Sequence, residues 1–276
     1  MSSKALFFIR LPFVMYSFIV MWVDIIYTAI MGEFKHFFAY FTNLTFIGLH
    51  AYLITTLYHH IKYLWTHQTI KRPSSFLDQP SVLNYLYVYL YHTIIVYNLQ
   101  TPVVFWALLS KEKLFDAHLT PIDFWISISL HTVTLFILVV EVCLNRMMIS
   151  IKMIFLVFGT VLIYLFLVFI IYSVEKWWVY SFLDWSFGPS IAVWYIAISV
   201  FIIICFFFQL ALHKLRDLIA QRFVYCVEVK NMASTDIEKE NPISINQTSN
   251  FGLLASTIGG GSRFTFGTES NIELHS

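Results

Sequence analysis

Long apolar runs separated by short polar connectors constrain this chain before anything else does. A helix needs about 20 mostly apolar residues to cross a bilayer, because in hydrocarbon every backbone N–H and C=O must be paired inside the segment. Six stretches meet that need: residues 5–31, 37–58, 82–109, 124–144, 151–174 and 190–212. The first is too long for a signal peptide and lacks a small-residue cleavage site, so it reads as a retained span. Connectors such as "HHIKYLWTHQTIKRPSSFLDQP" are too short to hold a soluble domain. The expected fold class is an all-α membrane protein. Residues 1–222 form a six-transmembrane-helix bundle, and residues 223–276 a disordered C-terminal tail rich in Ser, Thr, Asn, Gly and Glu.

Composition agrees with this solvent. Hydrophobic residues fill 59% of the 276 positions and charged residues 12%, against roughly half and a quarter in a soluble domain. A formal net charge of +1 offers no basic field for nucleic acid. Before the tail, ten lysines and arginines from Lys4 to Arg222 fall on the face shared by both termini, and four (Lys35, Lys111, Lys113 and Lys176) on the other. The positive-inside rule then makes both termini cytosolic, in a multi-pass protein of the endoplasmic reticulum, another endomembrane or the plasma membrane. Asn246 and Asn43 each begin a glycosylation sequon, the first on the cytosolic side and the second inside the membrane, so neither is expected to carry a glycan. Cys143, Cys205 and Cys226 share no metal or redox spacing, and no motif calls for a metal, nucleotide or redox cofactor.

The second span is unusual in carrying Thr42, Asn43 and Thr45 in the stretch "FTNLTFIGL". If that span enters the membrane after Lys35, Thr45 lies ten residues in, roughly 15 Å along a helix. The fourth span enters from the same side. Thr120 can cap it, Pro121 suits its first position and Asp123 favours the positive end of its dipole. His131 lies eight residues past Asp123, roughly 12 Å in, so Thr45 and His131 share a depth. Asp24, Asn98 and Gln100 fall in the same layer. On the fourth helix Ser127, His131, Thr134 and Glu141 form one stripe, which should face the bundle interior because ionisable groups facing lipid are expensive.

Each feature also has a plain packing explanation. Thr and Gly in membrane helices serve close contact or bond back to the i−4 carbonyl. A buried His can link helices, Asp24 and Glu141 can simply be paired, and aromatics such as Trp177, Trp178 and Trp185 form an interfacial belt. Against these stands one chemical reading: a threonine hydroxyl needs a partner to take its proton, and imidazole can do so near neutral pH.

"NLTFIGL", followed some ninety residues on by "LHTVTLFILVVE" and then by "WWVYSFLDW", resembles the androgen-induced gene 1 family, which includes the androgen-dependent regulator of tissue factor pathway inhibitor. The likeness covers the six-helix region. It implies an intramembrane threonine hydrolase that cleaves fatty acid esters of hydroxy fatty acids. The family's nucleophile, in its "LTF" motif, falls on Thr45, and its histidine, in the "HT" motif, on His131. Asn43 two residues before the threonine, the long second loop and the Gly/Ser-rich tail depart from the family pattern.

The expected function is therefore hydrolysis of a lipid ester reached from within the bilayer. Asp24 is a candidate to orient the imidazole, and Asn43, Asn98 or Gln100 to donate to the oxyanion. Two other classes stay open. One is a small-solute or proton-coupled transporter using His131 and Asp24 as a relay, against which stands the lack of an internal repeat or of paired broken helices. The other is a non-enzymatic membrane regulator whose tail recruits partners.

Overall fold

Local chemistry fixes where each apolar run starts and stops as a helix. The computed structural model describes residues 3–69, 80–114, 119–145, 147 and 149–240, and their side chains except at 3, 66–69, 112 and 223–240. Helix α1 spans Ser3–Ile30. It ends at Gly32, whose φ of 78° suits a residue without Cβ, and the Gly32 and Glu33 amides bond back to Ala29 and Thr28. A 3₁₀ segment, Phe34–Ala39, follows, and only then does α2 (Phe41–Thr69) begin.

Helix α3 (Ser81–Val104) carries Pro102, which has no N–H for the carbonyl four residues back, and the chain continues as a π-helical turn, Phe105–Leu109, and the short α4, Ser110–Leu114. The fourth run starts as the sequence predicts. Thr120 and Asp123 form a reciprocal capping box with Pro121 at the first position of α5, Pro121–Ile128. A second π-helical turn, Ser129–Val133, leads into α6, Thr134–Leu144. Helix α7 spans Met153–Glu175 and ends at Lys176 in the left-handed conformation, φ 55°. Three 3₁₀ turns between Ser181 and Ile191 connect it to α8, Ala192–Glu240.

Among the described residues there is no strand, and five helices are long and apolar enough to cross a membrane: Lys4–Ile30, Ser81–Leu109, Pro121–Leu144, Ile151–Glu175 and Pro189–Arg222. The chain is thus an all-α, multi-pass type of membrane protein. Helix α2 has the length but not the composition, since Thr42, Asn43, Thr45, His50, Thr56 and His59 dilute its apolar content.

Two boundaries differ from expectation. The second helix begins at Phe41 rather than near residue 37, because Phe34–Ala39 is wound as a separate 3₁₀ segment capped by the Asn43 amide on the Phe37 carbonyl at 2.9 Å. The last helix continues through residues 223–240, where a disordered tail was expected. No Gly or Pro interrupts the sequence between Pro189 and Pro242, and the residue before a proline disfavours helix. The chain divides into two compact units, residues 1–224 and 225–276, and the rest of the expected tail, 241–276, lies outside the described residues.

Within the first unit, Leu49, Tyr52, Leu53, Tyr91, Ile95 and Leu138 pack α1, α2, α3 and α6 together. Val96, Val157, Ile202 and Phe206 join α3 to α7 and α8. Helix α7 buries only Val157 and Val168, while Phe155, Ile163 and Phe166 stand outward, 71 to 80% exposed, the surface that hydrocarbon would solvate. One buried ion pair links α1 to α6. Arg10 holds Glu141 through Nε and Nη2, both at 2.8 Å. The Tyr52 hydroxyl donates to the same carboxylate at 3.2 Å, and Asn145 donates to Tyr52 at 2.8 Å. Of the expected inward stripe on the fourth run, His131, Thr134 and Glu141 are buried, whereas Ser127 is only half-buried.

Candidate functional site

A cavity of about 80 Å³ is enclosed by the first turn of α2, the end of α3 with its π-helical turn, the π-helical turn before α6, the middle of α7 and the start of α8. No charged side chain lines it. Its walls are mainly Val104, Phe105, Val161, Leu165, Phe182 and Leu183. Thr42, Gln100, Thr101, His131, Tyr164 and Tyr180 bring polar atoms to it, joined by Tyr195 and Ser199.

Several of these polar groups are already engaged. The Tyr164 hydroxyl donates to the Ala39 carbonyl at 2.9 Å, that of Tyr195 to the Leu183 carbonyl at 2.9 Å, and that of Ser199 to the Tyr195 carbonyl at 2.7 Å. Others are not. Among the described residues, Gln100 Oε1, Thr101 Oγ1 and His131 Nδ1 are buried without a hydrogen-bond partner. Buried polar atoms are normally satisfied, so three unpartnered ones on residues that line one cavity are unusual.

His131 is placed by the π-helical turn Ser129–Val133 and is buried. Its ring is stacked on Phe105, which the facing π-helical turn supplies, with centroids 3.8 Å apart. Single π-helical turns recur at functional sites because the extra residue per turn redirects a side chain.

Thr42 sits in the first turn of α2, beside Tyr180. The Phe41 amide donates to the Tyr180 hydroxyl at 3.0 Å, and the side chains of Thr42 and Tyr164 are polar neighbours of that phenol. Tyr180 belongs to the connection between α7 and α8, which Val179 and Leu183 anchor against Ala39 and Val168. Burial pushes its phenol above the ordinary tyrosine value, while the Phe41 amide and the two hydroxyls pull the other way. The proton is therefore retained at neutral pH.

The other residues singled out from sequence lie elsewhere. Thr45 is buried and does not line the cavity; its hydroxyl donates back to the Thr42 carbonyl at 2.9 Å. The depth argument assumed one helix running in from Lys35, but α2 starts six residues later, so Thr42 takes the cavity position. Asp24 also lies off the cavity. Thr28 donates to its carboxylate at 3.4 Å, and no hydrogen bond joins it to His131. Asn43 caps the 3₁₀ segment, and Asn98 donates to the Ile94 carbonyl at 2.8 Å. Of the proposed amide donors only Gln100 reaches the cavity.

Thr101, Phe105 and Tyr180 were not assigned a role from sequence, although Tyr180 belongs to the "WWVYSF" stretch that drew attention as a motif. Among the described residues no group of three His, Cys, Asp or Glu side chains is arranged to hold a metal ion. The chain matches no protein-family model, no curated protein and no solved structure.

Proposed function

We propose that the chain is an intramembrane ester hydrolase in which Thr42 is the nucleophile and His131 the general base. The observation that carries this reading is that both side chains line one uncharged cavity whose remaining walls are apolar. The resemblance to the androgen-induced gene 1 family supports the same chemistry and names its substrate class, fatty acid esters of hydroxy fatty acids. Its "LTF" motif points to Thr45, three residues from the threonine that lines the cavity along with His131.

In the first half-reaction Thr42 Oγ1 forms a bond to the ester carbonyl carbon, and its proton passes to His131. The tetrahedral adduct collapses, the C–O bond to the alcohol breaks, and His131 returns the proton to the departing oxygen. Water then repeats the sequence on the acyl-threonine, releasing the fatty acid.

The mainly apolar walls suit an ester group with an acyl chain beside it. Leu162 lines the cavity and is 41% exposed on the outside of α7, so acyl chains have a route to the lipid there. In this reading α2 is a sixth crossing, tolerable despite its polar residues because α1 and α3 flank it, and both termini face the cytosol.

The test is turnover by the purified protein in detergent against a panel of lipid esters, with Thr42→Ala alongside, and mapping of a fluorophosphonate adduct by peptide mass. Cleavage lost in Thr42→Ala and an adduct on Thr42 are expected. Equal turnover by the two proteins sinks the assignment, and a transporter or a non-enzymatic regulator would give no adduct.

A further inference from the structure

A tetrahedral intermediate needs a hydrogen-bond donor aimed at its oxyanion, and removing such a donor is among the most costly changes to an acyl-transfer site. The threonine–histidine pair alone leaves that role unfilled. Gln100 brings its amide to the cavity from α3, while the donors that neighbour Thr42 are the Phe41 N–H and the hydroxyls of Tyr164 and Tyr180. The Tyr164 proton is held by the Ala39 carbonyl, and the Phe41 N–H by the Tyr180 oxygen.

Tyr180 differs from both. Its oxygen accepts the N–H of Phe41, the residue next to Thr42, which fixes where the phenol sits on the cavity that Thr42 also lines, and among the described residues no hydrogen bond takes up its own proton. Phe182 stacks on the ring at 5.2 Å, and Tyr40 meets it edge-on at 6.2 Å, so the ring is held on its faces and edge. The carbonyl oxygen of an ester attacked by Thr42 lies two bonds from Thr42 Oγ1, so the oxyanion forms on the cavity wall where Tyr180 neighbours Thr42.

We propose that the Tyr180 hydroxyl donates the hydrogen bond that stabilises the oxyanion formed on the ester carbonyl when Thr42 attacks. This rests on the hydrolase reading above and adds a third catalytic residue to it. As the Thr42–carbon bond forms, the carbonyl π pair moves onto oxygen, and the Tyr180 O–H donates to that oxygen without transferring its proton. When the adduct collapses the pair returns and the hydrogen bond weakens. The Phe41 N–H bond to the Tyr180 oxygen polarises the O–H and strengthens it as a donor.

Two variants of the full-length protein in detergent test the proposal, assayed on a lipid ester that the wild type cleaves. Tyr180→Phe removes the donor and is expected to lower kcat about 100-fold, with KM changed by less than about threefold. Replacing Tyr180 by 3,5-difluorotyrosine through nonsense suppression keeps the shape and the acceptor for Phe41 but makes the phenol more acidic.

An ionised phenol cannot donate, so turnover of the difluorotyrosine protein should fall on the alkaline side at a lower pH than turnover of the wild type. A phenol that served only as an acceptor for the Phe41 amide would work as well or better when ionised, and its profile would show no such loss. Tyr180→Phe with kcat within about threefold of wild type, or a difluorotyrosine profile matching the wild-type one, overturns the Tyr180 role and leaves the Thr42–His131 pair standing. Wild-type protein with no Thr42-dependent cleavage overturns both.

Discussion

Phe105 lies flat against the imidazole of His131, with ring centroids 3.8 Å apart and planes 10° from parallel. In hydrolases built on a serine, histidine and aspartate, a carboxylate fixes the orientation of the base. Here no carboxylate reaches His131, and its Nδ1 has no hydrogen-bond partner among the described residues. The stacked phenyl ring takes over the task of holding the imidazole plane. Phe105→Leu, which keeps apolar bulk but removes the flat surface, should lower kcat by about 10- to 100-fold with a smaller change in KM. Steady-state kinetics on a cleaved lipid ester check this; an unchanged kcat would show that the ring is oriented by something else.

Thr42 and Thr45 are separated by one helical turn and by very different surroundings. Thr42 lines the cavity, whereas the Thr45 hydroxyl is spent on the Thr42 carbonyl at 2.9 Å. Thr42→Ala should abolish ester cleavage, and Thr42→Ser should retain part of it because a hydroxyl remains. Thr45→Ala should keep most activity and lose about 1 kcal/mol of stability, the ordinary net contribution of one hydrogen bond. Turnover and thermal unfolding in detergent, measured on all three, decide the matter. If Thr45→Ala is the dead variant and Thr42→Ala the active one, the nucleophile is Thr45.

Those two threonines also show where the sequence stops being legible. The apolar runs of α1, α3, α7 and α8 are visible because hydrocarbon imposes a length and a composition. The start of α5 is visible because Thr120, Pro121 and Asp123 each have a specific capping chemistry. Nothing comparable marks "FKHFFA" as a 3₁₀ segment, since its aromatics read as the beginning of the next span, and with α2 starting at Phe41 it is Thr42 rather than Thr45 that lines the cavity. The π-helical turns at Phe105–Leu109 and Ser129–Val133 have no compositional signature either. They bring Phe105 onto His131, a meeting that no pattern within one helix discloses. Arg10 looked like one more cytosolic charge, and its pairing with Glu141 spans 131 positions of sequence.

Asp24 offers a control for the site. It is buried, with Thr28 donating to its carboxylate at 3.4 Å, and it does not line the cavity. Asp24→Asn should therefore leave kcat on a lipid ester near the wild-type value, while His131→Ala abolishes it. Thr42→Ala combined with His131→Ala should be no slower than either single variant, because members of a catalytic pair act as a unit. Single-turnover rates of the four proteins test both statements. Losses that add would mean that the two residues contribute independently, and a large loss in Asp24→Asn would return that carboxylate to the mechanism.

Off the cavity lining, Arg10 and Glu141 form a bidentate pair with both contacts at 2.8 Å and side chains only 5% and 2% exposed. Removing one partner from such a pair strands a buried charge, at a cost of about 3–5 kcal/mol, whereas replacing both by apolar residues is often neutral. Arg10→Met alone and Glu141→Leu alone should each lower the unfolding temperature in detergent sharply. For Glu141→Leu the loss includes the acceptor of the Tyr52 hydroxyl, which leaves Tyr52 with only the Asn145 amide at 2.8 Å. The double variant should recover most of the loss, and a double-mutant cycle on unfolding gives the coupling directly. Because neither residue lines the cavity, turnover per folded molecule should be preserved in the double variant. Additive destabilisation would show that the two charges are satisfied separately, by water or lipid headgroups, rather than by each other.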